Sequence, residues 1–392
     1  MTVSEKINAI ATKSSWIRKM FEEGNRLKTL HGADKVFDFS LGNPNLLPPD
    51  AFKEVLKEVA SDKGAVHSYM PNVGYPETRA AVAATVSKEQ GAVVTENEII
   101  MTCGAAGALN VIFKTVLNPG DEIISPVPHF VEYGFYADNH GGTLVKVPTN
   151  EDFTLDIKAI ESEINPKTKI VLINSPNNPT GQIYSKESLD QLGALLREKN
   201  KEFNTTIYLV SDEPYRKVVY DNAVVPGIFE SYDESIVATS YSKDISIPGE
   251  RIGFLAVNPK AKYKDQIYGG FALSNRILGY VNAPALMQRV IAKVQGLSVD
   301  IDLYKRKRDL FCEGLKDAGY DFTVPPGAFY LFPKSPIADD VKFVQALQEE
   351  LILTVPGSGF AGPGYFRIAY CVDDKSIENS ISGFKKVMAK FS

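Results

Sequence analysis

From about residue 50 the chain alternates between segments of helical spacing and short apolar runs. AFKEVLKEVASD (51–62) repeats its apolar residues three and four apart, which predicts a helix. Pro76 fits the first turn of a second helix over ETRAAVAATVSKEQ, where its missing N–H costs nothing. Between such segments stand NEIIMTC (97–103), DEIISP (121–126), TLVKVP (143–148), KIVLINS (169–175), TIYLVSDE (206–213), SIVATSYS (235–242) and RIGFLAVN (251–258). Seven β-branched runs separated by helical segments predict an α/β fold with a mostly parallel seven-stranded sheet covered on both faces.

After about residue 283 the pattern changes. One long helical pattern runs over 285–318, followed by short strands in AFYLFP and YFRIAY and helices in DDVKFVQALQEEL and SIENSISGFKKVMAKF. A chain of 392 residues exceeds one core. The expected division is a large domain over 46–283 and a smaller α+β domain built from 1–45 and 284–392.

Composition narrows the function classes. Apolar content of 44% with 23% charge is that of a soluble globular chain, not a disordered one. A net charge of −5 argues against a nucleic-acid binder that works by neutralising phosphates, although it leaves room for a local basic pocket. The opening MTVSEKINAIATKSSW lacks the apolar core of a signal peptide, and no apolar run approaches the ~18 residues of a membrane span. Cys103, Cys312 and Cys371 are scattered and read as small buried hydrophobes in a reducing compartment, so a cytoplasmic location is expected. The four histidines form no H-x-x-x-H pair, and no protein-built metal site is expected.

Ligands of such sheets lie beyond the carboxyl ends of the strands, so the residues after each run carry the chemistry. Gly104-Ala105-Ala106-Gly107 opens a helix after NEIIMTC; it reads equally as a phosphate cradle of backbone N–H groups and as tight packing on the sheet. KIVLINS runs into Pro176-Asn177-Asn178-Pro179-Thr180-Gly181, a turn that presents an amide. TIYLV ends in Ser211-Asp212-Glu213-Pro214-Tyr215, where Asp212 is a carboxylate or simply a helix cap. SIVATSYS ends in Lys243, with Arg251 eight residues on; Ser240, Ser242 and Arg251 together suit a phosphate dianion.

N-N-P-T-G, D-E-x-Y and S-x-S-K-x-x-x-x-x-G-x-R-x-G, in that order, resemble the class I/II aminotransferases of the aspartate aminotransferase fold, fold type I among pyridoxal 5′-phosphate (PLP) enzymes. The resemblance runs from Gly42-Asn43-Pro44 to Phe366-Arg367-Ile368. It implies an enzyme that moves an amino group between an L-amino acid and a 2-oxo acid, 2-oxoglutarate being the expected acceptor, by a ping-pong route through a Lys243 Schiff base.

The resemblance also implies residue roles. Lys243 would hold PLP and shuttle the proton, Asp212 would pair with the pyridinium nitrogen, and Asn178 and Tyr215 would donate to the phenolic oxygen. Ser240, Arg251 and the N–H groups of Gly104, Ala105 and Ala106 would hold the phosphate. Phe130 stands where many relatives stack Trp or Tyr on the ring, and offers no polar contact to substrate. Arg367 would grip the substrate α-carboxylate, with the Gly42 N–H closing over it. Tyr69 would reach the phosphate of a partner subunit, so a homodimer with shared active sites is expected.

Aspartate is one donor that fits; alanine, aromatic and branched-chain amino acids fit as well. Arg276 reads better as a helix-flanking surface charge than as a second carboxylate contact, and His129 better as a packed loop residue than as a substrate contact. Two alternatives stand beside the aminotransferase: a PLP-dependent C–S lyase or decarboxylase on the same fold, and a non-catalytic PLP-binding regulator.

Overall fold

All seven apolar runs between residues 97 and 258 pair into one sheet. A computed structural model of the chain describes residues 2–12, 16–64 and 67–391. In chain order, β1 (Phe37–Asp38) precedes that sheet. It is formed by β2 (Ile99–Thr102), β3 (Glu122–Val127), β4 (Thr143–Pro148), β5 (Thr168–Asn174), β6 (Tyr208–Asp212), β7 (Ser235–Ser240) and β8 (Gly253–Val257). β9 (Tyr330–Leu331), β10 (Ile352–Leu353), β11 (Val355–Pro356) and β12 (Phe366–Ala369) follow.

The spatial order is β2-β8-β7-β6-β5-β3-β4. Only β8 runs against its neighbours, pairing antiparallel with β2 and β7. Every residue of β2 and β8 is buried, which is why these strands read as unbroken apolar runs rather than as alternation. One face of the sheet is covered by the helices Pro76–Gln90 and Lys186–Phe203 through Val82, Val86, Leu192 and Leu196. The other is covered by Gly104–Val116 and Lys264–Ile277 through Leu109, Ile112, Phe113 and Phe271. A third core draws on both extremes of the chain: Met20, Leu27 and Phe39 pack with Phe311, Phe343, Phe366 and Phe384. Strand pairing repeats the theme, because β1 is parallel to β10.

The sheet positions a site. β4 lies outside β3, and the chain then returns to place β5 on the other side of β3. Loops leaving β3 and β5 therefore part in opposite directions and open a crevice at the carboxyl edge.

Two expectations need correction. The pattern over 285–318 is not one helix but two, Ala285–Lys293 and Ile301–Asp317. Gly296, at φ 86°, takes the left-handed conformation between them, and the Asp300 carboxylate caps the second by accepting from the Asp302 N–H. Of the cysteines only Cys371 is buried; Cys103 and Cys312 are half-buried, and all three are free thiols. Among the described residues no helix is long and apolar enough to cross a membrane, and no cluster of His, Cys, Asp and Glu could hold a metal.

Candidate active site

A cleft of about 340 Å³ opens at the carboxyl ends of β5, β6 and β7. Of the residues singled out in the sequence, Gly42, Ala105, Ala106, Phe130, Asn178, Asp212, Tyr215, Ser240, Lys243, Arg251 and Arg367 line it.

Asp212 closes β6 between Asn174 of β5 and Ala238 of β7, and its carbonyl accepts from Asn174 Nδ2 at 2.8 Å. Tyr133 Oη donates to Asp212 Oδ2 at 2.6 Å, while Oδ1 is buried with no partner among the described residues. Burial pushes the Asp212 carboxyl up to about 7; the Tyr133 bond works the other way, and the adjacent Glu213 adds to the rise. A carboxylate oxygen is rarely left dry without a donor, so Oδ1 marks a place for an N–H from outside the chain.

Lys243 stands in the turn after β7. Its Nζ donates to the Gly42 carbonyl at 2.8 Å and lies 5.9 and 5.5 Å from the ring centres of Tyr215 and Phe329. Burial brings its amine down to about 8; Cys371 opposes the shift, while Arg367 and Arg251 assist it. A fraction of Lys243 is thus an uncharged nucleophile near neutral pH.

One wall of the cleft suits a phosphate. The helix Gly104–Val116 begins there with no side-chain cap, leaving first-turn N–H groups directed outward. Gly104, at φ 73°, lies against the Arg251 guanidinium, and a Cβ on it would come within 2.9 Å of Arg251 Nη2. Ser240 Oγ donates to Ser242 Oγ at 3.1 Å beside them.

The opposite wall comes from the third core. Arg367 on β12 is buried between the rings of Tyr330 and Phe360, at 4.7 and 4.6 Å. Nη1 donates to Asn178 Oδ1 at 3.0 Å and Nη2 to the Ser40 carbonyl at 2.6 Å. Nε has no partner among the described residues, and the two hydrogen bonds of the guanidinium go to an amide and a backbone carbonyl oxygen. Because Arg367 holds the Asn178 oxygen, the Asn178 amide nitrogen is left to donate elsewhere. Arginine keeps its charge even when burial lowers its pKa, so this is a buried cation matched to an incoming anion.

One contact differs from expectation, at Gly42. Gly42 engages Lys243 through its carbonyl, and a Cβ there would overlap the Tyr330 hydroxyl. Tyr69 is 90% exposed and lies outside this chain's own cleft. His129 is buried with Nδ1 2.9 Å from Ser125 Oγ, and burial lowers its pKa to about 4; it does not line the cleft. Arg276 is exposed in the last turn of Lys264–Ile277, also outside it.

The sequence reading missed Tyr133, Asn174 and Tyr330. Asn174 carried a signal, being a polar residue at the end of an apolar run. Nothing local marks Tyr133 or Tyr330.

Comparison with known proteins shows the family. The family model "Aminotransferase class I and II" matches residues 34–384. The chain is 32% identical over 366 residues to an aspartate/prephenate aminotransferase of Thermus thermophilus, covering 92% of each chain. It is 30% identical over 403 residues to an aromatic-amino-acid aminotransferase of Thermococcus litoralis, covering 99% of this chain and 98% of that one. The crystal structure of an aminotransferase from Eubacterium rectale superposes over 100% of both chains with a TM-score of 0.97 at 40% identity.

Proposed function

The chain belongs to the class I and II aminotransferases, and we propose that it moves an amino group between an L-amino acid and 2-oxoglutarate with PLP held in this cleft. The two half-reactions would alternate in one site, in ping-pong order. The observation that carries the reading is the meeting, in one cavity, of a depressed amine on Lys243 with the Asp212 carboxyl and the Arg367 guanidinium, whose Oδ1 and Nε have no partner among the described residues.

The residues fit the cofactor. Asp212 Oδ1 suits the ring N–H, the Asn178 amide and Tyr215 hydroxyl suit its phenolic oxygen, and Phe130 offers a ring face. Arg251, Ser240, Ser242 and the first-turn N–H groups of Gly104, Ala105 and Ala106 suit its phosphate. When bound, PLP supplies an aldehyde that links covalently to an amine and a ring that accepts the electrons of the substrate's Cα–H bond.

The protein's own part is binding, orientation and proton transfer. Arg367 takes the substrate α-carboxylate on its planar fork and so fixes the direction of the Cα–H bond. Lys243, once its Nζ is free, removes the proton from Cα and returns it; its lowered pKa keeps the base form populated at neutral pH. Asp212 stays an anion when its oxygen meets a cationic N–H, which reverses the effect of burial. Leu41, Leu109, Phe130 and Tyr136 form the apolar part of the lining and exclude water. Aspartate and aromatic amino acids are both proposed as donors.

A spectrophotometric screen tests the reading. Purified protein supplied with PLP should show a visible band that Lys243→Ala abolishes, and a preferred amino acid should remove the band until 2-oxoglutarate restores it. Steady release of pyruvate and ammonia with no oxo acid present would make the protein a lyase. A protein that takes up no PLP would end the proposal.

A further inference from the structure

Tyr330 opens β9 opposite Ala369 of β12, which puts it one strand away from Arg367. It is 2% exposed, and three segments meet at it. Its hydroxyl lies 2.8 Å from Tyr215 Oη, the two rings meeting edge to face at 5.6 Å. Its ring face carries the Arg367 guanidinium at 4.7 Å. The same hydroxyl fills the space a side chain on Gly42 would need, and the Gly42 carbonyl holds Lys243. One phenol therefore touches the proposed carboxylate anchor, a proposed cofactor donor and the segment that holds the reactive amine.

The direction of the Tyr215–Tyr330 hydrogen bond decides what this contact does, because either oxygen can donate. Arg367 lies over the Tyr330 ring and favours negative charge on both phenol oxygens, while Asp212 opposes it on Tyr215. Burial raises both phenols, so both keep their hydrogens, and each has one to give. With the Tyr215 hydrogen directed to the cofactor's phenolic oxygen, the hydrogen between the two hydroxyls is the one from Tyr330. Tyr215 then accepts, and its own hydrogen is left for another oxygen.

We propose that Tyr330 is a positioning residue: its hydroxyl donates to Tyr215 Oη, freeing the Tyr215 hydrogen for the cofactor's phenolic oxygen, while its ring seats the Arg367 guanidinium for the substrate carboxylate. This rests on the functional reading above. A donated bond polarises Tyr215 and strengthens its own donation to an anionic oxygen. The consequence is a link between the carboxylate end of the site and the electronic state of the bound cofactor.

Tyr330→Phe removes the hydroxyl and keeps the ring. In the PLP-loaded enzyme the pH midpoint of the visible band should rise by about 0.5 unit or more, because the phenolic oxygen loses a strengthened donor. The KM for the amino acid should stay within about twofold while kcat falls. In a Tyr215→Phe background the same change should leave the midpoint unmoved, since its route is gone. Tyr330→Leu, which also loses the ring, should raise KM by roughly tenfold or more. Melting curves check folding, and should the Leu variant fail to fold, the Phe titration alone decides. A merely structural role would lower stability without moving the midpoint. A Tyr330→Phe midpoint that is unchanged or lower, beside a normal wild-type titration, overturns the assignment alone. A wild-type protein with no pH-dependent band overturns the cofactor reading and this assignment together.

Discussion

Asp212 shows how a residue suited to a ligand costs the protein that lacks it. Its carboxyl is raised from 3.8 to about 7 by burial, so between those pH values the folded chain holds a proton that the unfolded chain releases. Stability is complete below about pH 3.8 and falls as pH rises through 7. The shift corresponds to on the order of 4 kcal/mol as an upper figure. Asp212→Asn removes the titration and keeps an acceptor for Tyr133. The cofactor-free Asn variant should melt above the cofactor-free wild type at pH 8, with the gap closing toward pH 4, as differential scanning calorimetry would record. With PLP the order should reverse, since the variant offers the ring N–H no anion.

At the scale of elements, the anion wall depends on one glycine. Gly104→Ala would force φ 73° on a residue with a Cβ and drive that Cβ against Arg251. The left-handed conformation alone costs about 1 kcal/mol. PLP affinity should fall roughly tenfold or more, measured by fluorescence titration, while the fold survives with a modest loss of melting temperature. Elements were legible in the sequence where burial was uniform. β2 and β8 are covered on both faces, so their runs stand out, and their pairing places Gly253 beside Gly104 and the Arg251 loop. The two-residue strands β1, β10 and β11 have no period to read, whereas β9 lies within the apolar run AFYLFP. The break between Lys293 and Ile301 was hidden because helical spacing continues on both sides of Gly296, whose penalty inside a helix is only about 1 kcal/mol. In the site, Asp212, Asn178, Lys243 and Arg251 were legible because they stand at or near strand ends in a recognisable order. Tyr133 and Tyr330 were not, since they reach Asp212 and Tyr215 across 79 and 115 positions through contacts that only the fold creates.

For the whole molecule, the question is whether one chain holds a full site. Tyr69 projects from the surface at 90% exposure, and its segment is tied to the helix Lys264–Ile277 by the Asn275 side chain, which donates to the Asn72 carbonyl. Leu273 and Ile277 are exposed on that helix. A homodimer that buries them would let Tyr69 serve a neighbouring cleft. Complementation tests this. Lys243→Ala and Tyr69→Ala should each be impaired alone, and unfolding and refolding the two together should regain about a quarter of the wild-type sites, because half of the dimers are mixed and each has one intact cleft. No gain on mixing would place every needed residue within one chain.

The hydrogen bond from Arg367 to the Ser40 carbonyl joins positions 327 apart, and β1 pairs with β10 in the same core. During synthesis, at about 5–20 residues per second, the segment carrying Ser40 and Gly42 leaves the ribosome roughly 16 to 65 s before Arg367 does. Through that interval the central sheet can form, but Lys243 and Asp212 lie under an open roof. The nascent chain thus passes through a stage with a finished floor and no lid, in which its most reactive amine faces solvent. Ribosome-stalled chains ending near residue 330 should be cut by protease at the Ser40 segment, and chains long enough to expose β12 should resist.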